Sequence, residues 1–265
     1  MTVAAAKATL AHKDGAIGWI TFDNQARRNA MSLAMWQGLL EAVTAYAADP
    51  EVRVIVLQGA GDKAFVSGAD ISEFEEKRSS QETVRAYDEV AHAATGALSE
   101  VNKPTIAMIR GYCVGGGVSI ALSCDMRIAA EGSVFAVPAA KLGLGYAFEG
   151  VRKLVDVVGP SFAREIFYTA RQFSGEEALT MGLVNRLVPA GGLESYVRDY
   201  AATIAANAPL TVASIKTLVG QALKDESQRD AQLCRDVVAR CFASADYVEG
   251  RTAFMEKRKP KFQGR

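Results

Sequence analysis

Histidine is almost missing from this 265-residue chain: His12 and His92 are the two present. They lie far apart, without neighbours at metal-ligand spacing, which argues against a zinc site. A Ser-His-Asp triad would have to use one of them. His12 falls in a strand-like stretch and His92 in a helix-like one, and both read as surface or edge residues. Cysteine is scarce as well. Cys113, Cys124, Cys234 and Cys241 form no Cys-x-x-Cys pair. They read as scattered buried thiols of a cytoplasmic protein. No apolar run approaches the roughly 20 residues of a membrane span, and residues 1–14 contain no long apolar segment of a secretory signal. An excess of charge of one sign is also lacking, since 30 basic and 30 acidic side chains cancel. That removes the field expected of a nucleic-acid partner. There is no Gly-x-Ser-x-Gly elbow, no P-loop Lys-Ser/Thr ending and no Gly-x-Gly-x-x-Gly spacing.

What is there is an ordinary globular balance, 49% hydrophobic and 23% charged residues. The length allows one large domain, or a domain with an appendage. One stretch stands out: Gly111-Tyr112-Cys113-Val114-Gly115-Gly116-Gly117-Val118-Ser119-Ile120. It follows an apolar strand-like run at 104–109 and opens a helix-like one. Consecutive glycines at a strand-to-helix junction leave backbone N–H groups open to a ligand, at the positive end of a helix dipole. Such a turn holds an anion, or an oxygen that becomes one during reaction. A plainer reading is that the glycines only let strand and helix pack closely.

Elsewhere the pattern alternates. Residues 16–22 read as a strand and 23–29 as a polar loop. Ser32 caps a helix that runs to Ala48 and stops at Asp49-Pro50. Residues 52–59 are a buried strand with a turn at 59–62. Residues 64–70 turn sharply before a charged helix-forming stretch at 73–77. A long helix covers about 81–101, and strands follow at 124–130 and 133–137. The fold class is therefore α/β with mostly parallel or spiral sheet connections. From about Glu194 onward the pattern is almost wholly helical. This divides the chain into an α/β core, 1–193, and a helical region, 194–265, packed on the core or on another subunit. Residues 210–223 and 231–243 carry apolar stripes at helical spacing, which more often form intramolecular core than interface.

Six segments in order, Asp23 to Met31, Ala64 to Ile71, Gly111 to Ser119, Cys124 to Ala129, Ala178 to Asn185 and Phe254 to Pro260, resemble the successive signatures of the enoyl-CoA hydratase/isomerase (crotonase) family. The resemblance implies a spiral ββα core. It also implies an acyl-CoA thioester whose carbonyl oxygen lies between two backbone N–H groups, matching Ala69 and Gly116 here. An enolate oxygen between two donors in a dry pocket is strongly stabilised. The substrate would bring coenzyme A with it, and no tightly bound cofactor or metal is expected. Arg27 and Arg28 match the loop beside the CoA phosphates, and guanidinium pairs suit that task. Asp70 and Ile71 match the turn used against adenine. Phe254 and Lys257 match positions brought to the nucleotide, often across a subunit contact. The resemblance implies a homotrimer or a dimer of trimers.

The departures from the family pattern are equally informative. Members that hydrate enoyl-CoA carry two glutamates; here Ser119 and Ala139 occupy those places. Neither can act as a carboxylate base, so standard hydration is doubtful and the fold alone does not name a reaction. Glu149 is the sole carboxylate between Ser133 and Leu154. Burial beside Tyr146 and Phe148 would suit it to proton transfer near neutrality; the alternative is a plain helix-start acid. Ser119 would lend polar support, with Ala139, Tyr146 and Phe148 lining the acyl pocket. Lyase or isomerase chemistry comes first, thioester hydrolysis or decarboxylation next. A CoA-ester binder without catalysis, or a pure assembly subunit, completes the set.

Overall fold

Short apolar runs between glycine turns build two sheets. The computed structural model of the chain describes residues 8–70 and 81–265, the side chains of 81–84 excepted. Strand β1 (Ala8–Asp14) turns at Gly15, φ 57°, into antiparallel β2 (Ile17–Asp23). The chain then winds as a spiral that feeds the two sheets in alternation. Strands β3 (Val54–Gly59), β5 (Thr105–Ile109), β7 (Met126–Ala130) and β10 (Arg186–Val188) extend the first sheet in parallel, giving the order β1-β2-β3-β5-β7-β10. Strands β4 (Ala64–Val66), β6 (Tyr112–Val114), β8 (Val134–Ala136) and β9 (Phe173–Ser174) make the second sheet in that order.

The larger sheet is covered on both faces, as parallel strands require. Alternate residues separate the two cores. Ile55, Leu57, Ala107 and Ile109 join the core with α1 (Leu33–Ala48) and the second sheet, whereas Val54, Val56, Ile106 and Met108 pack under α6 (Leu193–Ala205). Helix α1 starts where the sequence predicts, since the Ser32 side chain accepts from the Met35 N–H. Between these elements come α2 (Gln81–Glu100), α3 (Gly116–Ser123), α4 (Phe148–Thr169, broken at Gly159-Pro160) and α5 (Gly175–Thr180).

Helices α7 (Pro209–Ala222), α8 (Ala231–Phe242) and α9 (Ala245–Met255) follow. Lys216 ties α7 to the core through Asp125 Oδ2 and the Lys103 carbonyl, each at 2.9 Å. Arg53 donates to the carbonyls of Ala205 and Phe262, which pins the C-terminal tail. The apolar stripes of 210–223 and 231–243 are only partly covered within the chain. Helix α8 buries no residue, and Ile215, Val219, Leu223, Val238 and Phe242 are exposed. Their helices stack on one another at the end of the chain, so one apolar side of each has no sheet to cover it. No single helix among the described residues is long and apolar enough to cross a membrane.

Candidate active site

Strands β4 and β6 are parallel neighbours, so their C-terminal ends deliver two turns side by side. Open parallel sheets place ligands at that end. After β4 the chain turns at Gly68, φ 119°, and after β6 at Gly115, φ 53° and ψ −110°. Side chains rarely adopt either conformation. A Cβ on Gly115 would lie 3.8 Å from Gly68 Cα, and one on Gly116 would lie 3.8 Å from the Gly68 carbonyl carbon. The turns are therefore in contact. Gly117 does a different job: a Cβ there would come within 2.2 Å of the Val66 carbonyl oxygen. The glycine run thus combines a left-handed turn, an open amide and a close helix–strand approach.

Met31 decides which way Ala69 faces. The Met31 N–H donates to Gly68 O at 2.8 Å, and Met31 O accepts from Asp70 N–H at 2.9 Å. This parallel bridge straddles Ala69, so the N–H of Ala69 points to the side away from Met31. It makes no hydrogen bond to any described residue. Gly116 is the first residue of α3, where an N–H has no acceptor within the helix, and it too makes none.

The loop 24–31 holds this arrangement. Ser67 N–H donates to Arg28 O, and Ser67 Oγ to Arg27 O at 3.1 Å. Buried Asn24 donates through Nδ2 to Ala30 O and to Asp70 Oδ2. Buried Asn29 donates through Nδ2 to Ala60 O and Ala64 O. Tyr87 donates its hydroxyl to Met31 O at 3.1 Å and accepts from Trp36 Nε1 at 2.8 Å. Asn24, Asn29, Trp36 and Tyr87 were not singled out by sequence reasoning; the paired asparagines of a polar loop were the available signal.

A family model described as enoyl-CoA hydratase/isomerase matches residues 12–265. The chain belongs to that family. It is 35% identical over 234 residues to a crotonyl-CoA hydratase of Syntrophomonas wolfei, covering 88% of this chain and 89% of that protein. A carnitinyl-CoA dehydratase of Salmonella paratyphi A is 32% identical, with 96% and 97% covered. Among solved structures, an enoyl-CoA hydratase/carnithine racemase from Magnetospirillum magneticum superposes with TM-score 0.91 at 37% identity, covering 96% and 95%. An enoyl-CoA hydratase from Bacillus anthracis gives 0.92 at 30%, covering 97% and 99%. The expected crotonase-type α/β fold is therefore the observed one.

The remaining residues implied by membership in the enoyl-CoA hydratase/isomerase family are spread more widely. Ser119 lies half-buried one turn into α3, and Ala139 is buried in a short helical turn after β8. The expected burial of Glu149 is corrected. Glu149 sits in the first turn of α4, and residues 141–149 are all exposed in the chain. The adjacent Phe148 is itself 72% exposed and does not bury it. Tyr146, 37% exposed as a residue, packs edge-on against Phe167, centroids 4.8 Å apart, and desolvation on the packed side raises the phenol pKa. Arg27 and Arg28 are exposed, and the Arg28 guanidinium lies 4.9 Å from the centre of the Tyr112 ring. Asp70 is buried, and Ile71 lies outside the described residues. Phe254 and Lys257 are exposed at the end of α9. No hydrogen bond or ion pair among the described residues joins them to loop 24–31. Among the same residues no group of three His, Cys, Asp or Glu side chains is arranged to hold a metal.

Proposed function

We propose that this protein is an acyl-CoA lyase or isomerase that polarises a thioester through the N–H groups of Ala69 and Gly116. The observation that carries the reading is the pair of adjoining turns whose amides make no bond to the described protein. A carbonyl oxygen between them would gain two donors. That matters most when it becomes an enolate oxygen, because fixed donors need no reorganisation as charge develops. The helix dipole of α3 acts in the same direction. Arg27 and Arg28 serve the phosphates of coenzyme A, which arrives as part of the substrate. The backbone at Asp70 and Ile71 serves adenine, and Phe254 and Lys257 serve the nucleotide end. No resident cofactor takes part.

Proton transfer departs from the paired-glutamate route, because Ser119 and Ala139 have no carboxylate to offer. Glu149 is assigned the acid–base role, with Ser119 as a polar neighbour and Ala139, Tyr146 and Phe148 around the acyl group. An exposed Glu149 needs a cover to exclude water. A trimer, or a dimer of trimers, supplies one in this reading and also covers the apolar sides of α7 to α9. The place of action is the cytoplasm.

The exposure of Glu149 favours one second reading, a CoA-ester binder without turnover. A panel of acyl-CoA thioesters followed by product mass, run on the native protein and on Glu149→Gln, separates the two. A changed acyl group that disappears in the variant supports the first. Tight binding with no product from any thioester supports the second. Turnover undiminished in Glu149→Gln removes that residue from the mechanism.

A further inference from the structure

Trp36 reaches both turns of the candidate active site. It lies in the first turn of α1, where its backbone N–H donates to Ser32 O at 3.1 Å, and it is 3% exposed. One edge of its indole does two things. Cζ2 on that edge is the nearest atom to the point a Cβ on Gly116 would occupy, at 3.6 Å, and the Gly68 carbonyl carbon follows at 3.8 Å. The ring therefore packs against Gly116 where the two turns meet. Nε1, on the same edge, donates to the Tyr87 hydroxyl at 2.8 Å, and that hydroxyl donates on to Met31 O at 3.1 Å.

Met31 O also accepts from the Asp70 N–H at 2.9 Å, so both of its lone pairs are used. The Met31 N–H in turn holds Gly68 O at 2.8 Å. Ala69 thus sits in a bridge fixed by a hydroxyl, and the hydroxyl is fixed by the ring that packs on Gly116. The contacts close into a circuit that runs from Trp36 through Tyr87, Met31 and Gly68 and returns through Gly116. Its members come from α1, α2, the residue before the α1 cap and the two turns. A buried indole N–H needs an acceptor, and any carbonyl would serve that need. This one leads to the residue that brackets Ala69.

We infer that Trp36 is a positioning residue for the thioester oxygen: it sets the separation and direction of the Ala69 and Gly116 amides, with Tyr87 as its relay. The inference rests on the proposed function and goes beyond it, since neither side chain has a part in the polarisation or the proton transfer described there. Fixed donors stabilise an oxyanion because they are held in place as charge develops. A displacement of about 1 Å can cost on the order of a hundredfold in rate.

Acetoacetyl-CoA tests this whatever the native acyl group is. Loss of its C2 proton to the buffer moves the C–H electron pair onto the acyl oxygens and gives an enolate with its own ultraviolet band. The enolate fraction of the bound probe at fixed pH therefore reads how well the amides hold the charge. Butyryl-CoA, which has no such acidic proton, reads ground-state binding by calorimetry. The native protein should raise the enolate fraction, and Gly116→Pro should remove most of the rise. Trp36→Phe, which deletes Nε1 and the Cζ2 edge, should lower the enolate-to-keto ratio by about tenfold or more and leave butyryl-CoA affinity within about threefold. Tyr87 is half-buried, so Tyr87→Phe keeps the fold if Trp36→Phe does not, and it should lower the ratio in the same direction. Val43→Ala is the control: it thins the same face of α1 two turns on, at a residue 1% exposed, and should leave the ratio unchanged. Native ratios in both Trp36→Phe and Tyr87→Phe, with the enolate lost in Gly116→Pro, overturn this inference alone. So does a fall in Val43→Ala equal to that in Trp36→Phe, which would mark the effect as general packing. An enolate fraction that the native protein does not raise, or that Gly116→Pro leaves untouched, overturns the thioester reading and this inference with it.

Discussion

Proline at Gly116 removes one of the two proposed donors with little other change. Gly116 is the first residue of α3. Proline is favoured at that position because its missing N–H has no helical partner to lose. The Cβ has room, since its nearest atoms would be Trp36 Cζ2 at 3.6 Å and the Gly68 carbonyl carbon at 3.8 Å, both ordinary contacts, and the ring Cδ would take the place of an N–H that makes no bond to the described protein. The residue before it, Gly115, keeps its left-handed φ of 53° because it is glycine. Loss of one donor to a developing oxyanion costs about 3 kcal/mol of barrier. At about 1.4 kcal/mol per tenfold, that is a fall in kcat of roughly 150-fold. Gly116→Ala is the partner variant: it adds the Cβ and retains the N–H, so it should turn over within a few-fold of the native enzyme. The assay is product formation from whichever thioester the panel identifies, with kcat and KM determined for all three proteins, and melting temperatures to confirm folding. If Gly116→Pro folds and keeps its kcat, the Gly116 amide takes no part in the chemistry. If Gly116→Ala falls as far as Gly116→Pro, the loss comes from bulk and not from the missing donor.

Three further outcomes follow from neighbouring geometry. Gly117→Ala drives a Cβ to 2.2 Å from Val66 O, so denaturant unfolding should show a loss of about 1–3 kcal/mol or more, where Gly116→Ala shows little. Tyr87→Phe deletes the hydroxyl joining Trp36 Nε1 to Met31 O; a loss of about 1 kcal/mol in stability and a fall in kcat larger than any rise in KM are expected, and unchanged kinetics would separate Met31 from the site. Burial pushes the Cys124 thiol up to about 12 and the Cys113 thiol higher still. Folded-state pKa values above the unfolded value near 9 keep both thiols protonated as pH rises, so the stability they contribute is present below about pH 9 and is lost between that value and about 12. Thiol titration in native buffer should accordingly modify Cys234 and Cys241 before either buried thiol.

The parts of the fold that sequence made legible are those with enough residues to show a period. Helix 33–48 has an N-cap serine, an apolar face and a Pro stop, and strands 54–59 and 105–109 are apolar runs bounded by turns. Strands β4 and β6 escaped because three residues cannot display alternation. They were visible only as lead-ins to glycine turns. The glycine run itself was legible, but the division of labour within it was not. The separate demands on Gly115, Gly116 and Gly117 come from Gly68 and Val66, which are distant in sequence. Asn24 and Asn29 looked like loop polarity, because their burial depends on carbonyls of Ala60, Ala64 and Ala30 that the loop meets only after folding. The exposure of Glu149 was not legible for the opposite reason: adjacent aromatics in sequence do not cover a residue unless the helix turns them inward.

The amide pair and the acid–base groups have different robustness to substitution, and this can be tested directly. Backbone donors survive almost any side-chain change, so a chain can keep the polarising turns after the carboxylates of hydration have gone. Ser119→Glu with Ala139→Glu puts both carboxyl groups at the family's positions. Positioned acid–base groups contribute about 10² to 10⁴ in rate each. Ser119 is half-buried and its hydroxyl has no partner among the described residues, so a longer polar side chain displaces no bond there. Ala139 is 8% exposed, and a carboxyl placed there loses solvation at a cost of about 1–3 kcal/mol unless it is paired. The double variant should therefore melt lower than the native chain, yet add water to a short enoyl-CoA at a rate rising with pH through the carboxylate range, as loss of the enoyl absorbance reports. A folded double variant that binds the thioester and still leaves it unhydrated would mean that the acyl group does not lie between residues 119 and 139, and that the amides at 69 and 116 hold something other than a family-oriented carbonyl.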